Sequence, residues 1–518
     1  MTSSSTPAHA HAGPPDTKLD RHVLMVAGVV VLGAIMSILD VTVVAVAQNT
    51  FQQEFNTDAA GAAWTATGYT LALAAVIPLS SWAASRFGTK KVYLTSLVLF
   101  ILGSVLCALA WNIGSLVAFR VIQGLGGGML MPIGMMILTK AAGPERVGSV
   151  MAVLGIPMLL GPIGGPILGG LLIEKASWHW VFLINVPIGI AALIYSWFVL
   201  RDDEETSRPK IDVVGLLLLS PGLALFLFGV SSSAEHRTFM TAGVLIPAII
   251  GAVLIAGFIW HALHTDKPLL DLRLFRNRTL SIAVITMTLF MIAFFGAALL
   301  FPQYFIGVRG ESTLTAGLLL APQGLGAMIT MPIAGRMTDK IGPGKFVLTG
   351  IVLLTAGMSV FVFLGAETSY LLLCGALFVQ GLGMGMTMMP IMSAALATLN
   401  NAQVPDGSTL MNVVQQSSSS IGSAVISVVL ASGLAGSMQA GIAITSNTAP
   451  QNLPPEMQGT ALPPSFFESA ADVFGSTFLV SVVLIALTFI PALFLPRKKI
   501  ASPLIEEDMD QPAPIIMH

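Results

Sequence analysis

The chain has 518 residues, of which 55% are hydrophobic and only 10% are charged, and its mean hydropathy is +0.84. A soluble globular protein carries about 25% charged residues on its surface, so this composition excludes a water-soluble enzyme and indicates a protein whose solvent is lipid. The 24 basic and 26 acidic residues nearly balance, which excludes the strong positive field that attracts nucleic acid.

Fourteen apolar runs are long enough to cross a bilayer, which takes roughly 20 mostly apolar residues in one helix. In chain order they lie at about 22–47, 62–84, 92–110, 115–138, 148–172, 180–200, 212–232, 240–262, 279–304, 313–335, 345–365, 369–396, 410–436 and 473–496. The first run is too long for a cleaved signal peptide, and the polar segment 1–21 before it is predicted to be disordered. The sequence therefore predicts an all-α integral membrane protein with 14 transmembrane helices.

Positive charge lies almost entirely on one side of these spans. Twenty of the 24 lysines and arginines fall on that side, three fall on the other, and Arg120 lies within a helix. Because Lys and Arg accumulate in cytoplasmic loops, both termini, including the tail at 497–518, are predicted to be cytoplasmic. The segment 437–472 has no Lys or Arg and is predicted to lie outside.

An internal repeat relates the two ends of the chain. The segment from Pro78 to Gly88 has a counterpart from Pro332 to Gly342, displaced by 254 residues. A Gln-Gly-Leu-Gly sequence at 123–126 recurs at 380–383. The chain therefore divides into six helices at 22–200, two inserted helices at 201–278 and six helices at 279–496. Parallel repeats predict two pseudo-symmetric bundles, a binding site between them near the middle of the membrane, and alternating access.

Two charged residues lie inside predicted spans. Arg120 shares one face of the fourth helix with Gln123, Gly124 and Gly127. Asp40 is the only carboxylate placed well inside a span. An ion in lipid is costly and usually has a partner and a function. Burial disfavours an ionised carboxylate and a nearby cation favours it, so Asp40 is predicted to exchange a proton. The alternatives are that the two side chains reach the membrane surface.

Two loops resemble the signature loop of the major facilitator superfamily, which joins its second and third helices. The first is Ser-Trp-Ala-Ala-Ser-Arg-Phe-Gly-Thr-Lys-Lys at 81–91, and the second copy lies at 335–342. In the family, the acidic residue of this loop holds a neighbouring helix and one access state. Ser85 replaces that acid in the first copy and caps a helix only weakly. The alternative is that the loop cations only fix topology. The matching residues are Arg86, Gly88, Lys90, Gly335, Asp339 and Gly342.

The fifth helix carries glycine and proline at regular spacing. Small residues at i, i+4 and i+8 allow close helix approach. The pattern resembles the motif that marks antiporters within the superfamily, where this helix seals the interface between the halves. The resemblance predicts export, and the alternative is a glycine face that serves packing alone. The residues are Gly161, Pro162, Gly165, Pro166, Gly169 and Gly170.

Leu39-Asp40-Val-Thr-Val-Val-Ala-Val-Ala47 resembles the first-helix signature of the fourteen-span drug:proton antiporters. Segments 178–189 and 268–275 are similar to those of the EmrB/QacA-type branch, and the resemblance extends from 22 to 497. It implies proton coupling through Asp40 and Arg120, and a lipophilic or cationic small molecule as substrate. It also implies a bacterial cytoplasmic membrane, a monomer surrounded by lipid, and no cofactor.

Aromatic side chains are candidates for a substrate pocket, because they hold flat or cationic compounds by stacking and cation-π contact. Four phenylalanines share one face of the ninth span, and the alternative is that this stripe packs against helices or lipid. The two cysteines lie in apolar runs and indicate neither a disulfide nor a metal site. The pocket candidates are Phe290, Phe294, Phe301, Phe305, Trp64, Tyr69, Gln123, Gln323 and Gln415.

These observations predict a proton-coupled exporter of amphipathic or lipophilic compounds. The sequence has no ATP-binding loop, no His-Glu-x-x-His motif and no supported Gly-x-Ser-x-Gly motif, so the protein is predicted not to be an enzyme. One alternative is a dedicated exporter of a particular lipid, siderophore, metabolite or antibiotic, because this fold does not determine its cargo. The other is a membrane sensor or scaffold that transports nothing.

Overall fold

The computed structural model describes residues 20–498, apart from 58, 144–145, 204–208, 401, 449, 451–452, 455 and 459–461. The predicted terminal segments 1–21 and 497–518 therefore lie almost entirely outside the described residues. All regular elements of the described part are helical. The α-helices are α1 (Arg21–Val46), α2 (Gln48–Glu54), α3 (Ala59–Val76), α4 (Leu79–Phe87), α5 (Thr89–Ala108), α6 (Ile113–Ala142), α7 (Val147–Lys175), α8 (Trp180–Leu183), α9 (Asn185–Val199), α10 (Val213–His236), α11 (Ala242–His264), α12 (Arg278–Gly307), α13 (Thr313–Leu319), α14 (Ala321–Ile341), α15 (Gly344–Ser359), α16 (Tyr370–Leu396), α17 (Val404–Gly436), α18 (Met438–Thr448) and α19 (Pro464–Ala492), with 3-10 turns at Leu272–Arg276 and Val360–Phe363.

The apolar helices agree with a many-span membrane protein. Among the described residues, 12 helical segments are long and apolar enough to cross a membrane. A thirteenth is the pair α3 and α4, which bends by 55° at its break. Helix α7 adds 29 residues, a length of about 43 Å at 1.5 Å per residue. The helices are therefore consistent with the fourteen predicted spans.

The bend between α3 and α4 lies at Pro78, which has no N–H to continue the helical ladder. The backbone N–H of Ser80 donates to the carbonyl of Ile77 at 3.0 Å, which makes a tighter turn of the 3-10 type. The repeat-related Pro332 lies inside the continuous α14. The same repeat position thus bends one helix and leaves the other whole.

The packing of helices repeats along the chain. In the N-terminal group, α1–α9, helix α6 packs against α3 and α5; in the C-terminal group, α12–α19, helix α16 packs against α14 and α15 in the same way. Likewise α1 packs against α7, and α12 against α17. The remaining pair, α10 and α11, packs together, and α10 also contacts α3 and α17. The sequence repeat is matched by a repeat in helix packing, and α10 touches both groups.

Two parts of the segment 437–472 are helical, although its sequence is polar and contains prolines. Helix α18 occupies Met438–Thr448, and α19 begins at Pro464, nine residues before the predicted start of the last span at 473. Ala440 and Ala443 are fully buried, where α18 packs on α12 and α19. An alanine face on a short helix gives little hydropathy signal, so a search for apolar runs does not detect it.

Candidate functional site

Asp40 lies within α1 with only 1% of its surface exposed. The Nη1 atom of Arg120, on α6, lies 2.5 Å from the Oδ2 atom of Asp40. Gln123 Nε2 and Asn185 Nδ2 each donate to Asp40 Oδ1 at 2.8 Å. One cation from α6 and two amides from α6 and α9 therefore hold both carboxylate oxygens, and charge-assisted hydrogen bonds of this kind are about twice as strong as neutral ones.

Arg120 is also 1% exposed, so its guanidinium does not extend to the membrane surface. Its Nε donates to the carbonyl oxygen of Thr65 at 3.0 Å, and Nη1 also donates to Gln123 Oε1 at 2.7 Å. The ring of Tyr69 lies 4.1 Å from the guanidinium carbon, a cation-π contact. The cation is therefore held by α1, α3 and its own helix.

Three residues of this network, Asn185, Ser104 and Cys107, are not predicted from the sequence. Asn185 lies in the 178–189 segment that resembles the drug-antiporter branch, and an amide between Ile and Val at the start of a span was a usable signal. Ser104 Oγ accepts from Gln123 Nε2 at 2.8 Å and from Asn185 Nδ2 at 3.4 Å. A single serine is common in membrane helices, so its sequence carried no signal. Cys107 also joins the network, with Sγ 3.5 Å from Gln123 Oε1.

A glycine allows α5 to come close enough for this network to form. A Cβ added to Gly103 would lie 2.5 Å from the Cα of Gln123, which is closer than side chains tolerate. On the opposite side of α6, a Cβ at Gly124 would lie 2.6 Å from the backbone oxygen of Tyr69. The conspicuous Gly-rich run of α6 is therefore a packing surface that brings α3 and α5 against the buried charges.

On the side predicted to be cytoplasmic, Asp339 of α14 caps the start of α7. Its Oδ1 accepts from the backbone N–H of Gly148 at 2.8 Å, and its Oδ2 accepts from the N–H and Oγ of Ser149 at 2.9 and 2.7 Å. A carboxylate is favourable at a helix N-terminus, where backbone N–H groups are unpaired and the helix dipole is positive. A Cβ at Gly335 would lie 2.5 Å from the carbonyl oxygen of Gly148, so glycine permits this close contact. We call this contact the α14–α7 latch.

The first copy of the signature loop makes a different contact, which we call the α4–α17 latch. Ser81 donates from Oγ to Asp406 Oδ1 of α17, and Ser80 Oγ lies 2.9 Å from Thr409 Oγ1. Asp406 Oδ2 also accepts from the backbone N–H of Asp271 at 3.4 Å. The side chain of Ser85 forms no hydrogen bond to any described residue. The acid that the loop lacks is therefore present on the opposite helix.

The two signature glycines end their helices in the same backbone conformation. Gly88 has φ 89° and Gly342 has φ 90°, a region that favours glycine. Arg86 lies in the last turn of α4, and the Nζ of Lys90 lies 5.6 Å from the ring of Trp197 on α9. The structure therefore gives these glycines a turn-forming role that both copies share.

The glycine face of α7 packs against α1 next to Asp40. A Cβ at Gly165 would overlap the Thr42 side chain, and one at Gly169 would lie 3.3 Å from Val43. Gly170 faces open space. The backbones of Gly161, Pro162 and Pro166 continue the helix, but their side chains lie outside the described ones. Helix α7 thus connects the α14–α7 latch to the part of α1 that carries Asp40.

The pocket candidates do not come together at one place. Phe290 and Phe294 stack on α12 with ring centroids 5.5 Å apart. Phe301 lies against the rings of Phe361 and Phe478 at 4.9 and 5.0 Å, inside the C-terminal group. Phe305 is fully buried next to Tyr304.

The other candidates lie elsewhere. Trp64 is 44% exposed and stacks on Phe228 of α10. Gln323 donates to Gln380, and Gln415 is half-buried on α17. Tyr69 and Gln123 belong to the Asp40 network.

Two repeat-related helical groups and a buried ion pair define a membrane transporter, and comparison with known proteins identifies its family. Residues 30–423 match the family model described as Major Facilitator Superfamily. The chain is 45% identical over 514 residues to the Multidrug resistance protein B homolog of Mycobacterium tuberculosis (strain ATCC 25618 / H37Rv), covering 96% of this chain and 94% of that protein. It is 30% identical over 400 residues to the Multidrug export protein EmrB of Escherichia coli (strain K12), covering 76% and 77%.

The chain belongs to the major facilitator superfamily, which confirms the predicted family. Among solved structures, the human organic anion transporter MFSD10 (TETRAN) covers 90% of this chain and 100% of its own, with a TM-score of 0.60 at 15% identity. This likeness confirms the fold. The protein is a small-molecule transporter of a bacterial cytoplasmic membrane and not an enzyme.

Proposed function

We propose that this protein exports amphipathic or lipophilic small molecules, cationic drugs among them, in exchange for protons. The observation that carries the proposal is the fully buried Asp40, paired with Arg120 and hydrogen-bonded by Gln123 and Asn185. The names of the relatives, a multidrug resistance protein homolog and a multidrug export protein, support drugs as the cargo.

Asp40 is the proton-binding group in this proposal. A proton on Asp40 removes the negative charge that Arg120 faces, and Arg120 then keeps only its contacts to Thr65, Gln123 and the Tyr69 ring. Loss of the charge leaves the buried cation without its counter-ion, which is costly in a medium without water. Protonation therefore drives a rearrangement of α1 against α6 and α9.

Helix α7 carries this rearrangement to the cytoplasmic side. Its Gly165 packs against Thr42, two residues after Asp40 in α1, and its first turn is capped by Asp339 of α14. A shift of α1 moves α7, and movement of α7 weakens the α14–α7 latch. The network of Asp40 is made by α1, α5, α6 and α9, which all belong to the N-terminal group, and both oxygens of Asp40 already have protein partners. The proton and the substrate therefore act on each other through this conformational link and do not compete for one contact.

The proton gradient supplies sufficient energy for this work. A membrane potential gives about 2.3 kcal/mol per charge per 100 mV, and one pH unit gives about 1.4 kcal/mol. At 100 mV and one pH unit, one proton thus sustains a gradient of an uncharged substrate of roughly several hundred-fold. A monovalent cation exchanges for a proton without net charge movement, so it draws only on the pH term, which is about ten-fold per unit. We propose one proton per cycle, because Asp40 is the only carboxylate among the fully buried side chains of the described part.

The remaining sequence-based predictions complete the proposal. Positive-inside charge supports cytoplasmic termini, and the repeated packing supports a division into six helices at 22–200, two at 201–278 and six at 279–496. The protein acts as a monomer in lipid. Of the rival functions, a dedicated exporter shares this mechanism and differs in accepting one compound, whereas a sensor binds compounds without proton movement.

The test uses the purified protein in liposomes that contain a pH-sensitive dye. Cationic dyes, neutral antibiotics and lipids are added one at a time, with empty liposomes as a control. Proton movement evoked by several unrelated compounds is the expected result. A response to one compound alone indicates the dedicated exporter. Binding of compounds by folded protein without any proton movement contradicts proton-coupled export.

A further inference from the structure

An open cleft of about 440 Å³ lies at the end of α11, where the chain turns into α12. Leu263 of α11 and four residues of the 3-10 turn line it: Leu272, Arg273, Phe275 and Arg276. Nothing in the proposed export mechanism uses this cleft. The cleft lies on the side that the distribution of basic loops predicts to be cytoplasmic.

The loop is anchored so that both arginines face outward. Leu269, Leu270 and Leu274 are buried, and the first two pack against α10 and α11. Arg273 and Arg276 are exposed. The buried leucines fix the turn in place, and the cleft therefore has a defined position relative to α11.

The positive charge of the cleft has no neutralising partner in the described part of the chain. Arg273 Nη2 donates to the carbonyl oxygen of Thr265 at 3.1 Å, and Asp271 accepts from the backbone N–H of Arg273 and not from its guanidinium. Neither arginine pairs with a described carboxylate. Two guanidinium groups beside an open cleft match an anionic, phosphate-like group, which they bind through paired N–H donors.

An apolar surface continues from the cleft into the membrane. Leu263 is 50% exposed at the cleft, and Trp260 and Ile259, one turn deeper on α11, are 67% and 44% exposed. Tryptophan is enriched at the membrane interface, which places the arginines at the level of the lipid headgroups. A soluble phosphate contacts only the arginines, whereas a lipid also covers the apolar strip.

We propose that this cleft binds the headgroup of an anionic phospholipid of the cytoplasmic leaflet, with Arg273 and Arg276 on its phosphate and its acyl chains along Leu263, Ile259 and Trp260. Basic pockets beside transmembrane helices on the cytoplasmic side hold such lipids. The lipid fixes the connection between the inserted helices and α12 at the membrane surface. The inference rests on the proposed orientation of the loops and not on the proposed cargo.

Native mass spectrometry of the full chain in detergent tests this site, with phosphatidylglycerol or phosphatidylcholine added stepwise. The double variant R273Q/R276Q is compared with R201Q/K210Q, which removes two exposed charges from the same side outside the cleft. We expect phosphatidylglycerol to bind the wild type and R201Q/K210Q equally, and to bind R273Q/R276Q roughly 30-fold more weakly, at about 1 kcal/mol for each arginine. Phosphatidylcholine should bind the wild type and both double variants equally weakly.

Three results would overturn the inference. Equal weakening in both double variants means that general surface charge attracts the lipid. Glycerol 3-phosphate serves as a soluble competitor. If it displaces phosphatidylglycerol when both are at the same concentration, the ligand is a soluble anion. Unchanged binding in Arg276→Glu, a single charge reversal for use if the double variant aggregates, excludes the cleft altogether.

Discussion

Gln123 and Gln380 occupy repeat-related positions on α6 and α16, and both are fully buried. Gln123 bonds Asp40, Ser104 and Arg120. Gln380 accepts one hydrogen bond from Gln323, and its own Nε2 has no partner among the described residues. The repeat position of Arg120 is Leu377, which is also fully buried. One scaffold thus carries a buried ion pair in the N-terminal group and an apolar core in the C-terminal group.

The latches show the opposite distribution of charge. Both latch carboxylates, Asp339 and Asp406, belong to the C-terminal group, and their partners Ser149 and Ser81 belong to the N-terminal group. The two groups are therefore alike in backbone and complementary in chemistry. This difference teaches that the two groups share their helix packing while their polar side chains differ: the N-terminal group holds the buried ion pair, and the C-terminal group supplies the carboxylates of both latches.

The largest expected effect follows from removal of the buried cation. Arg120→Leu introduces into α6 the leucine that α16 has at the repeat position, Leu377. The substitution leaves Asp40 buried without its counter-ion, which should lower the free energy of unfolding by about 3–5 kcal/mol. We expect a much lower midpoint of thermal unfolding in detergent, with recovery in Asp40→Asn/Arg120→Leu. Leu377→Met, which conserves volume, serves as the control and should change stability by less than about 1.5 kcal/mol. Wild-type stability of Arg120→Leu would refute the ion pair.

The paired glutamines give a smaller effect and the sharpest contrast. Gln123→Leu removes bonds to Asp40 and Ser104, at a cost of about 1–3 kcal/mol. Gln380→Leu removes one hydrogen bond, which Gln380 accepts from the half-buried Gln323, and a donor that has no described partner, so it should cost only about 1 kcal/mol. Chemical unfolding of both variants measures the difference. Equal losses would mean that the two groups do not differ in polar satisfaction.

The latches give the smallest effect. Asp339→Ala removes the cap of α7, worth about 0.5–2 kcal/mol, and shifts the protein toward a state that is open to the cytoplasm. Spin labels at Lys91→Cys and Lys345→Cys report the distance between the two groups, and we expect a larger population of long distances. Asp406→Ala should act in the same direction.

Ser85→Ala is the matched control for the latches, because Ser85 occupies the repeat position of Asp339 but its side chain forms no hydrogen bond to a described residue. We expect its distance distribution to equal that of the wild type. A shift as large as that of Asp339→Ala would mean that the signature loops act alike, and that Asp406 does not replace the missing acid.

The sequence predicted the helical membrane fold, the repeat and the pairing of Asp40 with a cation, because hydropathy and buried charge are strong signals. It also marked Asp339, whose cap the structure shows. It did not predict Asn185 and Ser104 in the network, or Asp406 as the second latch acid. These contacts join residues 325 apart in one case and 145 apart in another, and no local pattern encodes such distances.

The aromatic stripe on α12 shows a related limit of sequence reasoning. Phe301 and Phe305 share a face with Phe290 and Phe294, but their helix neighbours differ along α12. Near the C-terminal end of α12, Phe361 and Phe478 enclose Phe301. Periodicity shows which residues share a face, whereas the neighbour that covers the face is a property of the assembled bundle.

The most direct test of the central claim separates exchange from accumulation in liposomes. Asp40→Asn keeps the shape of the side chain and removes its ability to cycle between charged and neutral forms. We predict that the variant still exchanges labelled substrate for unlabelled substrate across the membrane, but no longer accumulates substrate when a pH gradient is imposed. Accumulation at the wild-type level in Asp40→Asn would contradict the account, because the proton would then be carried elsewhere.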